Sequence, residues 1–240
     1  MLDKSSSVPM YYQLYERLKT AMITGELAAG EMIPSERELA QSFQISRMTA
    51  RQAITELVHD GYVTRKKGKG TFVAKRKFAK TLLGVKSFTE EMKERGLSLQ
   101  STLLSYEKKQ PPAVMRDALK LSNAQDGHIF ERLRHVGKDM LAIEKTCLPV
   151  TLFPNWTPQQ AKTSLYAYIE NDCGMTIDHA RQEIEAAVAD RSQAKKLQID
   201  VGEPLLVITR CTYNDEQVPI EWTKTTLKAD QYKFMTEMKR

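Results

Sequence analysis

The sequence predicts an α+β chain of two domains: a small helix-rich unit closed by a β hairpin, then a larger mixed α/β unit built on an antiparallel sheet. Three observations carry the prediction. Apolar residues recur at helical spacing in short segments before Gly61. A glycine-tipped pair of strand-like runs follows, and beyond it strand pairs alternate with short capped helices. A length of 240 residues suits two cores of about 80 and 160 residues better than one.

Pro9 opens the first helix, since its fixed φ suits a first turn, and Tyr11, Leu14, Tyr15, Leu18, Met22 and Ile23 follow a three-four rhythm until Gly25. Gly30 and Pro34 punctuate the connection that follows. Ser35 and Glu38 can cap each other's backbone N–H, so a short helix should run from Glu36 to near Phe43. Ser46 caps the next helix, whose inward stripe is Ala50, Ala53, Ile54, Leu57 and Val58, with Gly61 as its stop. Arg47, Thr49, Arg51, Gln52 and Thr55 are left on the other surfaces, cations and short polar groups of the kind that phosphates and base edges call for. Two short helices and a tight turn make a helix-turn-helix; the alternative is a helical hairpin with solvated arginines.

Tyr62 to Lys67 and Thr71 to Val73 read as strands around Gly68-Lys69-Gly70, a basic wing carrying Arg65, Lys66, Lys67 and Lys69. Gly68 and Gly70 would let its backbone approach a partner without Cβ obstruction. The glycines lack the spacing of a nucleotide-binding loop. Residues 76–82 are charged and aperiodic and read as a linker between domains at 1–75 and 83–240; it either tracks DNA or stays solvated.

In the second domain Ser87 and Glu90 cap a helix that Gly96 closes. Its N-terminus, with the hydroxyls of Ser87 and Thr89, is either plainly capped or an anion site. A helix over Pro112 to Leu121 precedes a hairpin, Phe130 to Val136 and Leu141 to Leu148. Arg132 and Arg134 are two apart and share a face; they bind an anion or are neutralised by carboxylates, and spacing alone favours the second. Ser164 caps a helix ending at Gly174, a strand spans Thr176 to Val188, and Asp190 caps a helix to Leu197. A closing hairpin, Leu205 to Tyr213 and Val218 to Leu227, resembles the first, with Arg134 ten residues before Glu144 and Arg210 eleven before Glu221. This weak repeat suggests a pseudo-symmetric sheet with both glutamates aimed at one pocket, the alternative being two solvated carboxylates.

The formal charge is +6, and it is unevenly spread. Residues 1–77 carry 13 Lys/Arg against 8 Asp/Glu, and residues 78–240 carry 23 against 22. A polyanion partner for the first domain follows, and a near-neutral role for the second. Three scattered cysteines, four histidines and no long apolar run point to a cytoplasmic protein without disulfide, metal site or membrane segment. No nucleophile–base pair or cofactor loop stands out, so an enzyme is not expected.

In combination, Pro34-Ser-Glu-Arg-Glu-Leu-Ala, Ile45-Ser-Arg-Met-Thr-Ala-Arg-Gln-Ala and Gly68-Lys-Gly-Thr-Phe-Val resemble the winged helix-turn-helix of GntR-family bacterial transcription regulators. Ser87-Phe-Thr-Glu-Glu-Met, Arg132-x-Arg134, Ile143-Glu, Ser164-Leu-Tyr and Pro219-Ile-Glu221 are similar to the UTRA effector domain of the HutC subfamily, and most to its repressors of amino-sugar use. The resemblance implies a chorismate-lyase-like effector fold, a homodimer on a palindromic double-stranded operator, and no cofactor beyond a small-molecule effector, a sugar phosphate. It implies DNA contacts by Arg37 and Arg47 and approach of Gly68 to the minor groove. With the residues above, the candidate DNA-binding set is Arg37, Ser46, Arg47, Thr49, Arg51, Gln52, Lys67, Gly68 and Lys69. It also implies a phosphate site from Ser87, Phe88, Thr89, Arg132, Arg134, Ser164 and Tyr166, with Glu144 and Glu221 on sugar hydroxyls or an amine. Leu227 stands where the amino-sugar pattern has a tyrosine, which implies a changed sugar half. The alternatives are a regulator, repressor or activator, that answers to a non-sugar anionic metabolite, and, from the lyase-like fold, a lyase-like enzyme.

Overall fold

The computed structural model describes residues 2–74, 78–82 and 84–238, and the chain divides into two units, Met1–Lys77 and Phe78–Arg240. In the first, α1 (Met10–Ile23), α2 (Glu36–Phe43) and α3 (Arg47–His59) precede a hairpin of β1 (Val63–Lys66) and β2 (Gly70–Val73). Leu14, Leu18, Leu39, Ala50, Ala53, Ile54, Leu57 and Val63 form the core. Ser35 and Glu38 complete their capping box, and Gln44, with φ 52°, reverses the chain so that Ser46 can cap α3. Val58, placed in the inward stripe, is instead 36% exposed, because the next helical position after Leu57 turns away from the buried face.

Two features of the wing lay outside the sequence reading. The connection before α2 is no mere punctuation: Gly30 N–H donates to Val73 O, Val73 N–H to Glu31 O and Ile33 N–H to Thr71 O, all within 2.9 Å, adding a short extended edge to the hairpin. Arg65 donates to Glu36 at 2.8 Å, tying the wing to α2.

The second unit continues with β3 (Phe78–Thr81), α4 (Phe88–Glu94), β4 (Gln100–Lys109), α5 (Ala113–Ala118), β5 (Gly127–Val136) and β6 (Asp139–Pro149). Then come α6 (Leu165–Ala167), widening into a π turn over Tyr168–Asp172, β7 (Ile177–Val188), α7 (Arg191–Leu197), β8 (Pro204–Asn214), β9 (Pro219–Lys228) and β10 (Tyr232–Met235). Six strands form one antiparallel sheet in the order β4-β5-β6-β9-β8-β7. β3, in the stretch read as linker, is no linker over residues 78–81: it pairs in parallel with β10. Residues 76 and 77 lie outside the described residues.

The sheet explains the hairpin repeat. One set of elements, α4-β4-α5-β5-β6, recurs as α6-β7-α7-β8-β9, and the halves meet where β6 pairs with β9. Thr146 and Thr223 face each other in that pairing, 77 residues apart in sequence, and their hydroxyls bond at 3.3 Å. Ser87 and Ser164, and Glu144 and Glu221, share this separation. One face of the sheet packs on α5 through Met115, Leu119, Cys147 and Trp222, and on α7 through Ile143, Ala194, Leu197 and Leu205. The other face carries α4 and α6.

Candidate functional site

Arg37 on α2 and Arg47, Arg51 and Gln52 on α3 are exposed, as are Lys67, Gly68 and Lys69 at the wing turn. Ser46 is spent as the cap of α3, accepting from Thr49 N–H at 3.0 Å, and Thr49 is half-buried with its hydroxyl bonded to that of Ser46. Gly68 has φ +72° and open space around it. Gly70 is also exposed and has φ +116°, a conformation that side chains rarely adopt; a Cβ there would lie 2.9 Å from Sδ of Met32, an exposed side chain that can turn aside.

On the face of the sheet that carries α4 and α6 lies a cleft of about 500 Å³ counting its open mouth. Ser87, the N-cap of α4, and Phe88 and Thr89 within it line the cleft, with Leu165 and Tyr166 of α6, Arg132 and Arg134 from β5, Glu144 from β6 and Glu221 from β9. Alternation along the strands puts these residues on one face. Of the effector residues expected from the sequence, only Ser164 does not line the cleft; its Oγ accepts from Ala167 N–H at 3.4 Å as the cap of α6. Leu227 is fully buried under α4 with Phe88, Met92, Ala142 and Ile208, away from the cleft's polar lining. Lys80, Arg210, Thr223 and Thr225 also line the cleft and were missed. Lys80 gave no signal inside a charged linker-like run, whereas the same-face spacing of Arg210 and Thr212 on β8 could have found Arg210.

The two arginines of β5 have different fates. Arg132, 4% exposed, donates from Nε to Glu144 Oε1 at 2.5 Å and from Nη1 to the carbonyls of Ala161 and Thr163. Carboxylate neutralisation, favoured from spacing, holds for it. Arg134, 1% exposed, donates instead to Thr89 Oγ1 at 2.7 Å and Ser101 Oγ at 2.9 Å, and its buried Nε has no partner. Burial, then the neighbouring Arg132 charge, pushes its pKa down to about 10, so it remains a cation at neutral pH. Arg210 donates to Lys86 O, Gln182 Oε1 and Tyr166 Oη. Among the described residues neither Arg134 nor Arg210 forms an ion pair.

Neither glutamate is solvated: Glu144 is 5% and Glu221 4% exposed. Burial opposes ionisation of Glu144, but Arg132 and Arg134 outweigh it and hold its pKa below the usual value. Glu221 accepts one hydroxyl on each oxygen, from Thr212 at 2.7 Å and Thr223 at 2.6 Å. With the Thr212 proton so committed, Tyr166 must donate to Thr212, and Thr146 to Thr223 for the same reason. The register also corrects the repeat. Glu144 faces Arg132 and Glu221 faces Thr212, so the counterpart of Arg132 is Thr212, and Arg134 and Arg210 are not equivalents.

The lining therefore holds four cations, Lys80, Arg132, Arg134 and Arg210, against two carboxylates. The hydroxyl of Ser87 accepts from Glu90 N–H and that of Thr89 from Arg134, and neither hydroxyl proton is taken by an acceptor among the described residues. Such a lining can hold an anion with several acceptor oxygens. No group of three His, Cys, Asp or Glu among the described residues could hold a metal ion, and no described helix is long and apolar enough to cross a membrane.

Residues 10–73 match the family model described as bacterial regulatory proteins, gntR family, and residues 94–233 match that of the UTRA domain. The chain is 37% identical to the HTH-type transcriptional repressor NagR of Bacillus subtilis over 239 residues, covering 100% of this chain and 98% of that one. It is 28% identical to the mannosyl-D-glycerate transport/metabolism system repressor MngR of Escherichia coli K12, over 94% of each chain. Among solved structures, PhnF from Mycobacterium smegmatis superposes with a TM-score of 0.68 at 28% identity, covering 94% of this chain and 98% of PhnF.

Proposed function

The chain belongs to the GntR family of bacterial regulatory proteins, with a UTRA domain in its second unit, and from that premise we propose that it is a HutC-type repressor of a sugar or amino-sugar utilisation operon, released from DNA by a phosphorylated sugar. The observation that carries the effector class is the charge of the cleft. Of its four cations Lys80 pairs with Glu91 and Arg132 with Glu144, whereas both Arg134 and Arg210 lack an ion-pair partner among the described residues. A phosphomonoester brings a charge of about −1.5 to −2 and three strong acceptor oxygens, which suits the two guanidiniums without an ion pair and the hydroxyl protons of Ser87 and Thr89. Glu144, whose Oε2 accepts no hydrogen bond among the described residues, and Glu221 would receive hydroxyls or an amine at the other end. The NagR and MngR names, both of repressors, support the direction of control.

In this reading Arg37, Arg47, Arg51, Gln52, Lys67 and Lys69 contact operator DNA. A single reading head spans too few base pairs to be selective, so two copies of the chain bind a palindrome with half-sites about one helical turn, roughly 10 bp, apart. The lyase-like alternative has less support: each buried carboxylate is already engaged, Glu144 by Arg132 and Glu221 by two hydroxyls.

A thermal-shift screen against free sugars, sugar phosphates and amino-sugar phosphates tests the effector class. A ligand at 100 times its dissociation constant adds about 2.7 kcal/mol, which for a protein of this size raises Tm by about 5–11 °C. The same ligand should weaken operator binding in gel shifts. Stabilisation by non-phosphorylated compounds alone would overturn the assignment.

A further inference from the structure

Lys80 lies on β3, which begins where the second unit begins, at Phe78. Its side chain is buried, lines the cleft, and pairs with Glu91 Oε1 at 2.7 Å. The pair is only half satisfied. Glu91 Oε2 is buried without a hydrogen-bond partner, and Glu91 is the one acceptor for the ammonium among the described residues, so two of its three N–H donors are left to the cleft it lines. Burial holds the Lys80 pKa below its usual value, with Glu91 acting against that shift. A buried ammonium with spare donors beside an anion-selective cleft gains most from an incoming acceptor group.

The strand that carries Lys80 is held by one short ladder and by Phe78, which packs on the buried cluster around Tyr232. β3 pairs only with β10, over four residues from Phe78–Tyr232 to Thr81–Met235, whereas the arginines of β5 sit inside the six-stranded sheet with a neighbour on each side. A ligand that pulls on Arg132 or Arg134 pulls on a rigid frame. One that pulls on Lys80 pulls on a short ladder whose first residue is where the chain arrives from the DNA-reading unit.

We propose that Lys80 is a ligand-contacting residue that couples occupancy of the cleft to the chain entering from the first unit: the anionic group of the effector takes the remaining donors of Lys80 and shifts β3 against the sheet. The proposal rests on the effector class argued above. Coupling of this kind requires that the ligand bind one position of β3 better than the other, and Lys80 supplies that difference.

The test uses the full chain and an operator selected with it from random duplexes. Binding of hexose 6-phosphates and hexosamine 6-phosphates is measured by calorimetry for the wild type, for Lys80→Met combined with Glu91→Gln, which removes the pair without leaving an orphan charge, and for Lys80→Arg. Operator affinity is measured for each protein with and without saturating ligand. The double variant should bind the phosphate ligand about tenfold or more weakly. Its operator affinity should change by less than about twofold on saturation, where the wild type changes by about fivefold or more, and Lys80→Arg should recover part of both. Unchanged ligand affinity in the double variant overturns the contact. Weakened binding with full loss of operator affinity at saturation overturns the coupling. A wild type that binds none of the phosphorylated probes overturns the effector class and this proposal with it, whereas a wild type that responds isolates any failure to Lys80.

Discussion

Replacing Glu144 by Gln removes one charge from the cleft and changes little else in shape. Arg132 and Glu144 are 4% and 5% exposed, and Arg132 Nε and Nη2 both lie 2.5 Å from the same carboxylate oxygen. Breaking a buried pair by removing one partner costs about 3–5 kcal/mol, because the survivor is left as an uncompensated charge. Gln keeps an acceptor oxygen, and the carbonyls of Ala161 and Thr163 still hold Nη1, so the lower end applies, about 3 kcal/mol. At about 2–4 °C per kcal/mol, the second unit of Glu144→Gln should melt about 6–12 °C below the wild type in calorimetry at pH 7. The difference should depend on pH. The folded pKa of Glu144 lies below its usual 4.5, so the unfolded chain takes up this proton at higher pH than the folded chain does. The carboxylate's contribution is complete above about pH 4.5 and is lost as pH falls through the folded value. The gap between wild type and variant should hold from pH 7 to about 5 and narrow below that. A fall of less than about 2 °C at pH 7 would mean that Arg132 is solvated or satisfied by the carbonyls, and would refute the account of the cleft as a low-dielectric site.

Three other outcomes follow from the reading head and the cleft. Arg47→Ala, exposed at the start of α3, should weaken operator binding by about 1–3 kcal/mol in gel shifts while ligand binding in calorimetry stays as in the wild type; loss of both would make Arg47 structural. Gly70→Ala should destabilise the first unit by about 1–3 kcal/mol in thermal unfolding, since its φ of +116° lies outside the left-handed helical region, and should cost more than Gly68→Ala, whose φ of +72° lies at the edge of that region. Ser46→Ala should cost about 1 kcal/mol through the lost cap of α3; an unchanged melting temperature would show that the Thr49 N–H bond at 3.0 Å contributes nothing net.

The reading head was legible because its signals are local. A capping box, an N-cap before an apolar stripe and glycines at the breaks act over four residues, and the helices begin and end at those residues. The hairpins of the second unit were legible for the same reason, through alternation and turn residues. Misreadings fell where a distant partner decides the outcome. Residues 78–81 form a strand because Tyr232–Met235 lie beside them, a pairing that no local pattern announces. Val58 answers to the limits of a core shared with α1.

By itself the sequence determined that there are two folding units, that the basic excess belongs to the first, and that Arg132 and Arg134 share a strand face, because charge, periodicity and caps are properties of contiguous residues. Only the tertiary structure decided which of those arginines is neutralised. Glu144 faces Arg132 across β5 and β6, while Arg134, one alternation further along, meets the hydroxyls of Thr89 and Ser101. It likewise brought Lys80 and Arg210 to the same cleft from opposite ends of the domain's sequence. Neutralisation and cavity charge depend on through-space distance in a desolvated interior, and that distance is set by register and packing between segments far apart in the chain.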